Sequence, residues 1–493
     1  MTTKRFMCAI LALFMLAASS CGTTEPSNTD DTTTASGSSE DTTTAAVGYD
    51  YGDRNYNGYE FKVLNFDKCW NTYLYLDFTE QTGERLDDAV YNRNRKVEDE
   101  LNFKFVEEKI AYTGWGTGQN AILDRVTQAV MAGDYSYDAA YLPVSFKPGI
   151  VTDGYLYDLN ELPGLNMDED YWDVVLNESL ELNGHLYTAS SPLHLMSFDM
   201  ADVLLFNQDL FDDKKLDYPY QLVRDGEWTL DKMYEYVTTI ASLNGDESFA
   251  INASGNAIYG IASHNDIPFA MTYAAGFTIS NKTDTGITLN IEDERLYNIV
   301  EKLGKMWNKE DGYAIIGTDA SQPNYYIGLF GSGRAGFITC ELKASLELRD
   351  MDDTFGLIPM PKYDESQEGY RTMTGYSACL LTVPKIQQDP ERTGVILDAL
   401  SYESNESVLP VYYDVTVSQK GLRNEESIEM LEIIRAGRAA EYTRIYGISN
   451  TYVSKLLSLI TSGSTETASL AASQKTSMEE SIATVLEALE DNA

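Results

Sequence analysis

The chain has 493 residues, too many for one hydrophobic core of ordinary size, and 43% are hydrophobic, so it folds into more than one lobe rather than staying disordered. Lys and Arg number 36 against 77 Asp and Glu, a formal net charge of −41 that repels a phosphate backbone and excludes nucleic acid as a partner. With 3 histidines in all there is little room for a His-rich metal site or a histidine relay, and no metal or other cofactor is expected.

Lys4 and Arg5 precede the apolar run Phe6 to Ala18, followed by Ser19, Ser20 and Cys21. A charged start, a short hydrophobic stretch and small residues predict a signal peptide over residues 1–20. The run is shorter than the roughly 20 residues a membrane-spanning helix needs. Small residues followed at once by cysteine resemble a bacterial lipobox, which implies lipidation of Cys21. Leu16 stands too far ahead of Cys21 for the best form of that motif, and an ordinary secreted protein is the alternative. Residues 21–48 are nearly all Ser, Thr, acidic or small, with no Lys or Arg. Such a segment cannot bury enough surface to offset its ordering entropy, so a solvated tether is predicted. Beyond Cys8 and Cys21, Cys69, Cys340 and Cys379 have irregular spacing and no CxxC, which reads as buried thiols rather than a disulfide framework.

From Tyr59 onward the pattern is α/β. Tyr59 to Phe66 alternates as a strand, Leu86, Val90, Val97 and Leu101 recur at helical spacing, and Phe103 to Ile110 reads as a second strand. Ile122, Val126, Ala129 and Val130 mark a second helix with Gly133 as its C-cap, and Tyr137 to Pro143 is a buried strand. Strand, helix, strand, helix, strand predicts a mostly parallel sheet. Ala201 to Phe206 is another buried strand, Thr229 caps a helix reaching Ala241, and Leu296 to Trp307 forms an amphipathic face. The last third is mainly helical: Asn424 to Arg435, Tyr452 to Ile460, and Met478 to Leu489 with Ser477 and Glu480 as a capping box.

Several segments together resemble the extracellular solute-binding lipoproteins of ABC importers, of the large sugar-binding type. These are LDDAVYNRNRKVEDELNFKF, YDAAYLPVSFKPGIVTDGYLYDLNEL, NGHLYTASSPLHLMSFDMADVLLFNQDLF, DGEWTLDKMYEY, GSGRAGFITCEL, FGLIPMPKY and LDALSYESNESVLPVYYD. Each is loose alone; their order over about residues 59 to 490 carries the resemblance. It implies a two-lobed, periplasmic-binding-protein-like fold of type II, each lobe a mixed, mostly parallel sheet flanked by helices and joined by a hinge. The expected lobes are 49–195 with 358–410, and 196–357 with 411–493. The implied function is capture of a carbohydrate outside the cell and delivery to an ABC permease, by a monomer anchored through lipid to the outer face of the bacterial cytoplasmic membrane. Relatives often carry a calcium-loop-like insertion after the Trp-Thr helix. Here Asn244, Gly245 and Asp246 remain, without regular acidic spacing or a terminal bidentate Glu.

Gly331 to Gly336 matches G-x-G-x-x-G, but it follows a helix-like YYIGLF and enters a strand, the reverse of a dinucleotide fingerprint, so it reads as a turn. No GxSxG, HExxH or P-loop occurs, and with 77 acids chance carboxylate pairs carry no information. A surface glycosidase and a polymer-binding adhesin remain the alternative functions. The 34 tyrosines and 5 tryptophans suit stacking on sugar rings, although most serve as ordinary core or surface aromatics. Ligands in open α/β sheets bind beyond the carboxyl ends of strands. Position therefore nominates Asp67, Lys68 and Trp70 after the first strand, Ser145 after the third, and Asp199 near the hinge. The resemblance adds Phe269, Tyr273, Glu341, Tyr376 and Tyr446. Trp228 reads as structural packing, and Trp115 as part of a loop able to reach the cleft mouth.

Overall fold

The computed structural model describes residues 48–114, 116–249, 255–264, 266–283, 286–308, 310–316, 325–417, 422 and 425–492. Residues 1–47, on which the expected signal peptide, Cys21 and most of the expected tether fall, together with Trp115 and part of the loop after Asp246, lie outside the described residues. Tyr49–Ala493 forms one unit.

Its first strands are β1 (Tyr59–Phe66), β2 (Phe103–Ile110), β3 (Ala139–Leu142), β4 (Asp202–Asn207) and β5 (Tyr259–Ser263). They are followed by β6 (Ser280–Thr283), β7 (Gly286–Leu289), β8 (Ala314–Ile316) and β9 (Ala335–Glu341). The last are β10 (Phe355–Ile358), β11 (Thr372–Met373), β12 (Leu380–Thr382) and β13 (Arg438–Ala439). One sheet has the order β12-β3-β1-β2 and the other β10-β4-β9-β5-β8; β11 pairs with β13, and β6 with β7.

In the first sheet β1 runs parallel to β2, Tyr59 opposite Phe103 and Phe66 opposite Ile110, and parallel to β3. The crossovers are the helices Arg85–Leu101 and Thr117–Ala132. The first buries Leu86, Val90, Val97 and Leu101 and ends at Asn102, whose φ of 48° lets its N–H return to the Glu98 carbonyl. The second ends at Gly133, φ 66°, with its N–H on the Ala129 and Val130 carbonyls, a left-handed C-cap that glycine adopts without steric cost. β12 returns antiparallel to β3 with Leu380 opposite Leu142.

In the second sheet β4 is antiparallel to β10 and β9, whereas β5 is parallel to β9 and β8. All of β4 is buried, as expected for a central strand covered on both faces. Trp228 is fully buried and its indole N–H donates to the Pro359 carbonyl at 3.0 Å, next to the Thr229 cap of the helix Leu230–Ile240. Gly331 to Gly336 joins the helix Tyr325–Gly331 to β9, with Gly333 at φ 73°.

The chain passes from the first sheet to the second between Ala189, still bridged to Leu381, and Asp202 at the start of β4. It passes back between β10 and β12. The helix Leu409–Val417 packs on the helices Arg85–Leu101 and Pro390–Ser407, so the next passage comes after it, before the helix Glu425–Ala436 that packs on β10.

The last helix corrects the sequence reading. It spans Thr467–Asn492, so Ser477 and Glu480 are internal rather than a capping box. Ser477 keeps a helical role, its carbonyl accepting from the Ser481 hydroxyl at 2.9 Å. The helix starts early because Thr467, Leu470, Ala471 and Met478 share one buried face, and no Gly or Pro interrupts the stretch between them.

The N-terminal edge of the folded body is pinned by tyrosines. Tyr49 donates to Asp398 at 3.0 Å and Tyr51 to Glu403 at 2.9 Å, both acceptors lying on the helix Pro390–Ser407. Asp398 is fully buried and also accepts from the Tyr171 hydroxyl at 2.8 Å, the Trp172 indole at 3.1 Å and the Asn166 amide at 2.7 Å.

Candidate ligand-binding cleft

β1, β2 and β3 are parallel, so the loops after them meet at one edge of the first sheet. Trp70 and Asn71 follow β1 in the left-handed region, φ 48° and 57°, where non-glycine residues are uncommon. The Trp70 ring lies 5.3 Å from that of Tyr112, after β2, and 6.1 Å from that of Phe146, after β3. Phe146 in turn meets Tyr376 edge-to-face at 5.6 Å, and the Arg444 guanidinium covers the Tyr376 ring at 3.5 Å. Tyr112, Trp70, Phe146 and Tyr376 thus form a continuous aromatic row. Neighbours fix it: Asp67 accepts from the Tyr112 amide at 3.0 Å, the Lys343 ammonium donates to the Trp70 carbonyl, and the Ser145 hydroxyl donates to the Tyr376 carbonyl.

The second sheet contributes carboxylates. β4 and β9 are antiparallel, so the first residue of one faces the last of the other, and Asp202 stands directly opposite Glu341. β5 ends at the same edge, adding His264 and Asp266, and Tyr326 comes from the helix Tyr325–Gly331. With Trp70, Tyr376, Lys343 and Arg444 these residues line a cleft of about 500 Å³. Burial, reinforced by the charges of Glu341 and Asp266, pushes the Asp202 carboxyl well above the usual carboxylate range, and Arg444 acts in the opposite sense. Burial also lowers the Arg444 guanidinium and raises the Tyr376 phenol.

Of the residues nominated from sequence, Trp70, Glu341 and Tyr376 line this cleft. Asp67 and Ser145 are outside the lining and hold Tyr112 and Tyr376 by hydrogen bonds. Lys68 is exposed and outside the lining. Asp199 is buried in the passage between the sheets, accepting from the Tyr73 amide at 2.6 Å and the Tyr412 hydroxyl at 2.7 Å. Phe269 is buried on the helix Ile267–Ala274, which presents Ile267 and Ala270 to the cleft instead. Tyr273 lines a separate depression with Lys282 and Tyr442 and lies beneath Arg371, rather than facing Trp70. Tyr446 is buried; Arg444, two residues earlier, is the one that reaches the cleft. Sequence reasoning missed Asp202, Asp266, Tyr326, Tyr112, Phe146 and Arg444. Asp202 had a legible signal, a carboxylate opening the apolar run VLLF.

Cys69, Cys340 and Cys379 are buried free thiols, each raised by burial. Among the described residues no group of three or more His, Cys, Asp or Glu is arranged to hold a metal ion. Asp246 is engaged in closing its own loop, accepting from the Asn256 and Ala257 amides at 2.7 and 2.8 Å. No described helix is long and apolar enough to cross a membrane.

No protein-family model matches the sequence, and no curated protein does. Solved structures do match in fold. The chain is similar to the ABC substrate-binding protein Lmo0181 from Listeria monocytogenes in complex with cycloalternan, at 15% identity and TM-score 0.55 over 86% of this chain and 99% of that one. Apo RafE from Streptococcus pneumoniae matches at 14% identity and TM-score 0.52, over 86% of this chain and 98% of its own. A cyclo/maltodextrin-binding protein complexed with maltotetraose matches at 12% identity and TM-score 0.55, over 88% and 96%. Two mixed sheets flanked by helices, crossed repeatedly by one chain, give this protein the α/β two-lobed fold of ABC-transporter substrate-binding proteins.

Proposed function

We propose that the protein binds a carbohydrate in this cleft and delivers it to an ABC permease, without chemical turnover. The observation that carries this reading is the aromatic row Tyr112, Trp70, Phe146 and Tyr376, of which Trp70 and Tyr376 line one cleft with the carboxylates Asp202 and Glu341. Sugars present apolar ring faces and hydroxyl-bearing edges, and stacking planes beside hydrogen-bond acceptors complement both. The bound cycloalternan and maltotetraose of the structural neighbours support the same solute class. In this reading Trp70, Tyr376 and Glu341 contact solute together with Asp202 and Arg444, while Asp67 and Ser145 position the aromatic row. Lobe closure about segments near Ser197–Asp202 and Leu357–Pro361 traps the ligand, because a solute touching both walls favours the closed state. A lipid on Cys21 and the tether after it hold the folded body at the outer membrane face. If so, Cys21→Ser sends protein into the medium or leaves it unprocessed; mature-length protein retained at the membrane would refute the anchor.

A thermal-shift screen against a saccharide library tests the central claim. Ligand at 100 times Kd adds about 2.7 kcal/mol, enough for a clear rise in Tm. The cognate saccharide should be recovered unchanged. Product formation would favour the surface glycosidase, and retention on polymers without any compaction the adhesin.

A further inference from the structure

Asp202 opens β4 with its side chain in the cleft and is 4% exposed. Its carboxylate has no hydrogen bond or ion pair among the described residues. Directly opposite in the β4–β9 register is a second carboxylate, Glu341, and Asp266 approaches from the end of β5. Of the cations nearby, Lys343 donates to the Trp70 carbonyl, and Arg444, stacked on Tyr376 at 3.5 Å, acts on Asp202 through its charge alone, without a hydrogen bond to it. A buried, unpaired carboxylate facing another is costly, and removing water leaves little to screen the repulsion. Hydroxyl groups can donate to such a pair but cannot cancel its charge. An ammonium group can do both, since its three N–H donors can reach both members of a cross-strand pair whose Cβ atoms are about 5 Å apart.

We propose that the solute carries a protonated amine seated between Asp202 and Glu341, its sugar rings lying on the aromatic row; the ligand is an amino-saccharide rather than a neutral one. This deepens the solute-binding reading of the same cleft and rests on it.

Calorimetric titration of the folded protein, below the pKa of the sugar amine, compares three probes. They are chitosan oligosaccharides with free amines, the N-acetylated oligosaccharides of the same length, and a simple alkyl diamine. The free-amine sugar should bind about tenfold or more tightly than its N-acetylated partner, as a charge-assisted hydrogen bond allows. That preference should collapse toward unity in Asp202→Asn and fall in Glu341→Gln. Asp202→Asn keeps the shape and replaces a carboxyl whose charged form burial and Glu341 already disfavour, so the ligand-free Tm should hold or rise, which separates lost recognition from lost folding. Equal or tighter binding of the N-acetylated sugar overturns the inference and leaves carbohydrate binding intact. Asp202-dependent binding of the diamine with no saccharide bound supports the charge assignment and overturns the carbohydrate reading. No binding of either amine probe overturns the inference.

Discussion

Trp70 and Trp228 show how one residue type serves two ends. Trp228 is fully buried with its indole hydrogen-bonded, so Trp228→Ala should cost about 3–5 kcal/mol and lower Tm sharply. Trp70 is half-buried at the cleft, and one contact that holds its loop, from Lys343, runs through its backbone carbonyl, which alanine retains. Trp70→Ala should therefore weaken solute binding about tenfold or more, a stacking loss of about 1–3 kcal/mol, while the ligand-free melt barely moves. A collapse of the Trp70→Ala melt would mean that this ring is core. Asp199 gives a pH signature. Burial pushes its carboxyl up to about 6, against the opposing hydrogen bonds from Tyr73 and Tyr412. The folded state then holds a proton that the unfolded state has released, so this residue's stabilisation is complete below about pH 4 and is lost as pH rises through about 6. The loss amounts to roughly 3 kcal/mol at 1.36 kcal/mol per pKa unit. Chemical denaturation at pH 4 to 7 should show a shallower fall in Asp199→Asn than in wild type; identical slopes would remove Asp199 as the source. At this scale the sequence was partly legible. Trp70 and Ser145 follow from their places after strand ends, and Glu341 from a resemblance specific enough to locate the end of β9. Arg444 was not legible, because a short helix far along the chain brings it to Tyr376 and no periodicity encodes that approach. Phe269 and Tyr446 fell one helix face away from the cleft, a displacement that loose motifs cannot resolve.

Elements were easier to read where a repeating pattern is long. β2 and the helix Arg85–Leu101 follow from alternation and helical spacing over many residues, whereas β11, β12 and β13 are two or three residues long and too short to show any period. The start of the last helix was misplaced because a local capping signature says nothing about whether the preceding turns have a face to bury. The helix Pro390–Ser407 offers a sharper test of element packing. Gly394 sits inside it where a Cβ would fall 2.0 Å from the Pro163 carbonyl oxygen. Alanine is the better helix former by about 1 kcal/mol, but the overlap is with backbone and has no rotamer to escape into. Gly394→Ala should destabilise the protein by about 1–3 kcal/mol or more, read as a lower Tm. A melt at or above wild type would mean that the Pro163 loop yields freely.

At the scale of the whole molecule, two sheets with the cleft between them predict compaction on binding. Cognate solute should reduce the radius of gyration in solution scattering, and a tight ligand that leaves the curve unchanged would contradict hinged closure. The α/β character of the chain was legible from the order of strands and helices alone. The return of β12 to β3 and the antiparallel β4 beside β9 were not, since pairing partners far apart in sequence leave no local trace. The tyrosine clasp at the start of the folded body has a mechanical consequence. Tension entering at Tyr49 meets Asp398, Glu403 and the long helix that carries them before it meets β1. A pull on the N-terminus is thereby routed into the helix Pro390–Ser407 before it can draw β1 out from between β3 and β2. Optical-tweezers pulling from the N-terminus should find a lower first rupture force when Tyr49 and Tyr51 are both changed to Phe, which keeps the rings and deletes the two hydroxyl latches.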